Sequence, residues 1–345
     1  MKKIITREQS TELAEFDPRR VAKIARDMTN QAAKIKRGER VMIHYDPAGR
    51  QLALEIAKLC IKKGCKIWFR VNDTDMDATL LSGLSERDIA RYTEFLAHEI
   101  FGADAYFAIR APRDPVALGT VPAENMAIFT RNSEYTRDFR VNYTNWQLIY
   151  LPTEAEAKIE EMSLEEYAQL FFAACNRPWK KIREAQNKLV KILDKGKELI
   201  LVADPKSKDL KKRTRLKMSI EGMQFVNLTI DRNYPGSEVF SSPVRDTVNG
   251  QLFAAGKYIY EGRIMEDIYL QVENGKIIAA QARKGEKELI NILDRDEGAR
   301  YFGEVALGTN RALARRLFNP LLNEKVGGSF HITPGKAYEF EEYEG

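Results

Sequence analysis

Glu39-Arg40-Val41-Met42-Ile43-His44-Tyr45, running into Asp46-Pro47-Ala48-Gly49-Arg50, decides how the first half of this chain is read. The apolar centre Val41-Met42-Ile43 is bounded by charge on one side and by a Pro/Gly turn on the other, the pattern of a short buried strand. An amphipathic helix is predicted from Arg50 to Lys63, with Gly64 at the stop position. Cys65-Lys66-Ile67-Trp68-Phe69-Arg70-Val71 then reads as a second strand. Strand, helix and strand in succession predict a βαβ unit and a mainly parallel sheet. The pattern continues with a helix from Ser85 to Phe101, for which Ser85 and Asp88 offer an N-cap signal. Strands are predicted over Ala105–Ala111 and Asn145–Leu151, and helices over Ser163–Cys175 and Trp179–Asp194. The turn after the first strand contains no GxGxxG, so a dinucleotide site is not expected.

The break Lys195-Gly196-Lys197 divides the chain into expected domains of 1–195 and 196–345. At 345 residues the length also favours two domains. The second half is richer in strands, with candidates at Glu198–Ala203, Arg215–Ile220, Gln224–Ile230, Gln251–Ala255 and Ile268–Glu273. Asn274-Gly275 signals a hairpin before Lys276–Ala282. Helices are predicted over Glu286–Asp294 and Asn310–Phe318. The expected fold class is therefore α/β, a parallel N-terminal domain followed by an α+β C-terminal domain.

Composition narrows the function. With 44% hydrophobic and 30% charged residues the chain has the make-up of a soluble globular protein. No apolar run approaches the roughly 20 residues that span a bilayer. No apolar stretch follows the basic start Met1-Lys2-Lys3, so no secretion signal is expected and the chain is placed in the cytoplasm. Cys60, Cys65 and Cys175 are too few for a disulfide framework; the first two are read as buried thiols in a reducing compartment. The net charge of +5 is modest. Its one cluster, Lys206, Lys208, Lys211, Lys212, Arg213, Arg215 and Lys217, has no interleaved aromatics and is read as a solvated face. Neither nucleic acid nor membrane is expected as a partner.

The chemistry-bearing residues lie in the second half. Glu238 sits in Pro235-Gly236-Ser237-Glu238-Val239-Phe240, and Glu304 in Gly303-Glu304-Val305-Ala306-Leu307. His331 ends Gly327-Gly328-Ser329-Phe330-His331, and Tyr338 follows Pro334-Gly335. Carboxylates flanked in this way are drawn toward an apolar interior, where an ionised group needs a cation or several donors. A divalent metal between the segments would meet that need. Two carboxylates, an imidazole and a phenol suit Zn²⁺, Co²⁺ or Mn²⁺. His44 and His98 are read as structural histidines.

The stretches Asn233 to Phe240, Asp296 to Asn310 and Asn323 to Ile332 resemble the thermophilic metalloaminopeptidases of peptidase family M29, the aminopeptidase T and aminopeptidase S group. The resemblance runs over nearly the whole second half and loosely over the first. It implies two divalent metal ions and identifies Glu238, Glu304, His331 and Tyr338 with metal ligands. Glu238, Glu304 and Tyr338 are also the candidate catalytic groups, and one glutamate could serve as a proton shuttle. The family's remaining His and Asp, in an HxD pattern, are expected roughly 30 residues beyond His331. The sequence ends at Gly345, so a truncated chain is expected, its hydrolysis impaired. A further departure is Lys208-Asp209-Leu210, where the family pattern implies Thr before Asp-Leu. The implied function is a homodimeric aminopeptidase acting on short peptides. A catalytically silent relative that binds peptides or serves in assembly is the alternative.

Overall fold

The computed structural model describes residues 16–339, and the predicted βαβ order opens it after one added helix. The first half comprises α1 (Pro18–Arg26), β1 (Arg40–Tyr45), α2 (Arg50–Lys62), β2 (Lys66–Val71), α3 (Thr74–Gly83), α4 (Glu86–Phe101) and β3 (Ala105–Arg110). It continues through α5 (Ala123–Asn132), α6 (Glu134–Tyr143), β4 (Asn145–Tyr150), α7 (Glu154–Ile159), α8 (Leu164–Cys175) and α9 (Trp179–Leu193). Helix starts follow their caps. Ser85 accepts from the Asp88 amide at α4, and Ser163 with Glu166 closes a capping box at α8.

After α9 come β5 (Glu198–Ala203), β6 (Thr214–Ser219), β7 (Val226–Leu228), β8 (Asn233–Tyr234) and β9 (Glu238–Ser241). The chain then forms β10 (Asn249–Tyr260), β11 (Arg263–Glu273), β12 (Lys276–Lys284), α10 (Glu286–Leu293), β13 (Phe302–Gly308), α11 (Pro320–Asn323) and β14 (Phe330–Pro334). Asn274 and Gly275 both take positive φ, 47° and 79°, which makes the tight β11–β12 turn their sequence predicts.

Three sheets result. A parallel sheet runs β2-β1-β3-β4-β8, its fifth strand supplied by the short Asn233–Tyr234 segment from the second half. An antiparallel sheet runs β12-β11-β10-β6-β5, and a four-stranded antiparallel sheet runs β14-β13-β9-β7. The core of the parallel sheet also takes in Tyr234, Leu313, Leu317 and Leu322, so the halves share apolar packing. Among the described residues no helix is long and apolar enough to cross a membrane.

Two expectations fail. Asn310–Phe318 is not a helix. Its apolar residues Leu313, Leu317 and Phe318 are buried, and their spacing imitates a helical face. The backbone bonds are instead made elsewhere: Asn310 N donates to the Lys325 carbonyl at 2.9 Å, Leu317 N to the Asn323 side chain at 3.1 Å, and Phe318 N to the Glu160 carboxylate. Cys65, expected to be buried beside Cys60, is only partly covered, and its thiol reaches the Lys36 carbonyl at 3.2 Å. The basic residues 206–217 lie mostly on an exposed face, where Lys217 pairs with Glu198 at 2.6 Å.

Glu156 on α7 ties the halves together. It is 3% exposed and accepts from Asn319 at 2.8 Å and Tyr167 at 3.2 Å. Burial outweighs these bonds and pushes its carboxyl up to about 7 from the ordinary 4.5. A carboxyl with a raised folded pKa contributes stability that is complete below its unfolded pKa and lost as pH climbs through the folded value. Unfolding free energy should therefore fall between about pH 4.5 and about pH 7, by up to about 3 kcal/mol from this group. Glu156→Gln keeps the Asn319 bond and lets Tyr167 accept instead. It should match the wild type below about pH 5 and exceed it above about pH 8 in urea titrations. Equal stabilities at high pH would refute the assignment.

Candidate metal centre

The four-stranded sheet explains how two distant acids and an imidazole meet. Side chains alternate faces along a strand, so residues two apart share a side. Register pairs Ala306 of β13 with both Phe240 of β9 and His331 of β14. Glu238 and Glu304 each lie two residues from that row, so Glu238, Glu304 and His331 share one face. The intervening Val239, Val305, Leu307, Phe330 and Ile332 pack into the core on the other face. The alternation Glu-Val-Phe and Glu-Val-Ala-Leu is thus a strand pattern with acids on the functional side.

Backbone around Glu238 is held from several directions. Ser237, fully buried, takes φ 100° and bonds Thr309 through their hydroxyls at 2.6 Å, a strained conformation next to the site. Gln186 of α9 donates to the Glu238 carbonyl at 2.9 Å and to Thr309 at 3.0 Å. Gly308 lets the 324–326 loop approach, since a Cβ there would stand 2.3 Å from the Val326 carbonyl oxygen and 2.8 Å from that of Glu324.

His331 Nε2 lies 2.9 Å from Glu304 Oε1 and 3.6 Å from Glu238 Oε2. Glu324, at the end of α11, joins them: ligand atoms of Glu238, Glu324 and His331 all fall within 4.8 Å of one another. Lys325 is fully buried and donates to Glu238 at 2.6 Å and Glu324 at 2.9 Å. Tyr338 is 47% exposed, and its ring packs edge-on to Phe240 at 6.0 Å. The sequence reading therefore named Glu238, Glu304, His331 and Tyr338, and the structure brings the first three into direct contact. It missed Glu324, Lys325 and Gln186. The adjacent pair Glu324-Lys325 carries the usual signature of a solvated surface, and only its placement across the face buries it.

The electrostatics are those of a crowded anionic site. Three carboxylates face one ammonium, leaving an excess of two negative charges when the imidazole is neutral. Burial raises the Glu238 pKa, Lys325 and His331 oppose the shift, and Glu324 and Glu304 reinforce it. Burial opposes charge on His331 too, but the Glu304 hydrogen bond and the charges of Glu238, Glu324 and Glu304 win and raise its pKa. Lys325 is raised in the same way, its two carboxylates outweighing desolvation. Desolvation raises the Tyr338 phenol, with help from Glu304 and Glu324 and against Arg140.

The donor set suits a divalent cation. Ligand atoms about 2.1 Å from one cation sit roughly 3.0 to 3.4 Å apart. The His331–Glu304 and His331–Glu238 separations bracket that range. Glu238 Oε2 is buried without a hydrogen-bond partner among the described residues, which is the state of a lone pair awaiting a cation or proton.

Residues 17–344 match the family described as thermophilic metalloprotease (M29). Aminopeptidase 2 of Geobacillus stearothermophilus is 26% identical over 342 residues, covering 88% of this chain and 80% of that protein. Aminopeptidase AmpS of Bacillus subtilis (strain 168) is 37% identical over 112 residues, a segment that spans 31% of this chain and only 27% of the relative. Aminopeptidase T of Thermus thermophilus is 38% identical over 111 residues, again 27% of its length. The solved structure of wild-type AmpT from Thermus thermophilus superposes with a TM-score of 0.76 at 23% identity, over 94% of this chain and 87% of that one. A 2,5-dihydroxypyridine dioxygenase from Pseudomonas putida KT2440 shares the fold more distantly, with a TM-score of 0.50 at 10% identity over 95% of this chain and 99% of that one. Fold alone therefore does not select the chemistry.

Proposed function

This chain belongs to the thermophilic metalloprotease family M29, and from that premise we propose that it is a metal-dependent aminopeptidase acting on short peptides. The observation that carries the reading is the convergence of Glu238, Glu324 and His331 ligand atoms within 4.8 Å, with one buried Glu238 oxygen unpartnered. Two divalent ions, Zn²⁺, Co²⁺ or Mn²⁺, are the proposed cofactors, with Glu304 and Tyr338 adding donors to those three. When bound, such ions supply Lewis acidity toward a peptide carbonyl and lower the pKa of water.

The protein's own groups have separable tasks. Glu304, with 18% of its side chain exposed against 6% for Glu238, is the carboxylate better placed to exchange a proton with water or the leaving amine. Glu238 is shielded and held by Lys325, which suits a fixed ligand. Tyr338 keeps its proton in this form and can donate a hydrogen bond to a carbonyl oxygen that gains charge. Lys325 holds Glu238 and Glu324 in place and offsets part of their repulsion. We extend the reading to a homodimer in the cytoplasm, in keeping with the resemblance to the aminopeptidase T group.

Purified protein loaded with Co²⁺ or Zn²⁺ should hold at least one ion per chain by mass spectrometry and release nitroaniline from leucine p-nitroanilide. Chelation should stop turnover and re-addition of metal restore it. Less than one ion per chain together with no turnover would replace this reading with that of a silent peptide-binding relative.

A further inference from the structure

A second polar site lies outside the metal cluster. A cavity of about 570 Å³ opens at the carboxyl ends of the parallel strands, lined by His44 of β1, Arg70 of β2, Tyr106 and Arg110 of β3, Arg140 of α6 and Tyr150 of β4. In the order β2-β1-β3-β4 the chain leaves β1 in opposite directions, so the crevice between β1 and β3 is the switch point where open α/β sheets bind ligands. His44 and Arg110 stand on its two sides.

Among its acids this wall presents donors left without a full set of acceptors. Tyr106 OH is 2.6 Å and Arg110 Nη2 3.3 Å from His44 Nδ1, so that nitrogen accepts and the proton sits on Nε2. Burial, with Arg110 and Arg70 nearby, lowers the His44 pKa to about 2, which keeps the ring neutral. His44 Nε2 and Arg110 Nη1 are buried with no partner at hydrogen-bond distance among the described residues, although the Asn72 side chain stands near His44 and Asp46 lies 3.6 Å from Arg110 Nη1. His44, read from sequence as a structural histidine, is thus satisfied at Nδ1 and not at Nε2. Asp46, the carboxylate nearest Arg110 at 3.6 Å, already accepts from Asn72 at 2.8 Å and the Ala111 amide at 2.7 Å. The Arg140 guanidinium lies over two ring faces, Trp146 at 4.5 Å and Tyr106 at 6.0 Å, and no carboxylate lies within 4.0 Å of it among the described residues. Arg70 is satisfied by Glu99, and the other acids on the wall have partners too: Asp77 in Tyr92, Glu156 in Asn319 and Tyr167, Glu261 in Arg295, and the exposed Asp114 in the Val116 amide at 2.9 Å.

The short helix α11 leads from the cavity to the metal cluster. Asn319, on the cavity wall, caps α11, whose other end is Glu324.

We propose that this cavity takes the free C-terminal carboxylate of a short peptide, held by Arg110, Arg140 and the His44 Nε2–H, while the peptide's N-terminal residue lies at the Glu238 cluster. A guanidinium and a second donor match the two oxygens of a carboxylate, and partial burial strengthens both bonds. The proposal rests on the aminopeptidase reading for the other end of the peptide. It adds a substrate class, free acids over amides and internal segments.

Calorimetric titration of metal-loaded protein tests it, with a ladder of leucyl-glycine peptides of increasing length whose first peptide bond is reduced. Each is used as the free acid and as the C-terminal amide. At the length that spans the two sites, the acid should bind about tenfold or more tightly than the amide. Arg140→Gln and Arg110→Gln should close that gap, and Arg140→Lys restore part of it. Equal affinity of acid and amide throughout the ladder, no binding of either, or a gap surviving both glutamine variants would overturn the proposal. The wild-type comparison stands even if a variant fails to fold. Binding is read without turnover, so selective binding without hydrolysis of ordinary peptides would sink the peptidase reading alone. Hydrolysis with no preference for acids would sink the pocket alone.

Discussion

Glu238→Gln is expected to lower kcat/KM for leucine p-nitroanilide by roughly a hundredfold or more, with a parallel drop in bound metal. Losing even an outer partner of a metal site costs about 10- to 100-fold, and Glu238 stands at the centre of the cluster. Its Oε2 is the buried oxygen with no partner, and its Oε1 is committed to Lys325 at 2.6 Å. Gln keeps the shape but offers one neutral acceptor, and its amide must turn the NH₂ away from the Lys325 ammonium, toward the position a cation would use. The measurement is paired, metal per chain by mass spectrometry and initial rates across added Co²⁺. Wild-type metal content with wild-type rates would remove Glu238 from the site.

Lys325→Met is expected to destabilise the metal-free protein by about 3 to 5 kcal/mol, the usual cost of removing one partner from a buried ion pair. Lys325 is 0% exposed and its ammonium touches two carboxylates, so its removal leaves Glu238 and Glu324 facing each other beside Glu304. The double variant Glu238→Gln with Lys325→Met should recover much of the loss, because charge and counter-charge leave together. Added Zn²⁺ should recover part of it as well, since a cation bound only by the folded state stabilises by mass action. Urea titrations of the single and double variants, with and without Zn²⁺, check these outcomes. A single-variant loss under about 1 kcal/mol would show that solvent, and not Lys325, compensates these acids.

The parallel sheet was legible because its signals are local. Apolar runs such as Val41-Met42-Ile43, helix stops such as Gly64 and caps such as Ser85 and Ser163 act over a few residues, and each appears where the sequence puts it. The Asn310–Phe318 expectation failed for the opposite reason. Leu313, Leu317 and Phe318 are spaced like a helical face, but the backbone there bonds Lys325, Asn323 and Glu160, partners that the local sequence does not reveal. The short strand β8 joined the parallel sheet on the same terms, through a pairing with β4 more than eighty residues earlier.

At the metal centre the division is similar. The apolar neighbours of Glu238 and Glu304 draw both acids toward an interior, and the sequence by itself determines that much; that Glu238-Val239-Phe240 and Glu304-Val305-Ala306-Leu307 are strands, whose period-two alternation puts each acid opposite an apolar residue, was not expected from it. Which strands lie side by side, and hence that His331 shares a face with both acids, was decided by the β9–β13–β14 register. Glu324 and Lys325 became part of the site only when the loop after α11 folded against Gly308, and His44, Arg110 and Arg140 only when separate strands and a helix closed one cavity. The physical reason is range: backbone propensity and side-chain alternation are encoded residue by residue, whereas burial and counter-charge depend on groups brought together from distant parts of the chain.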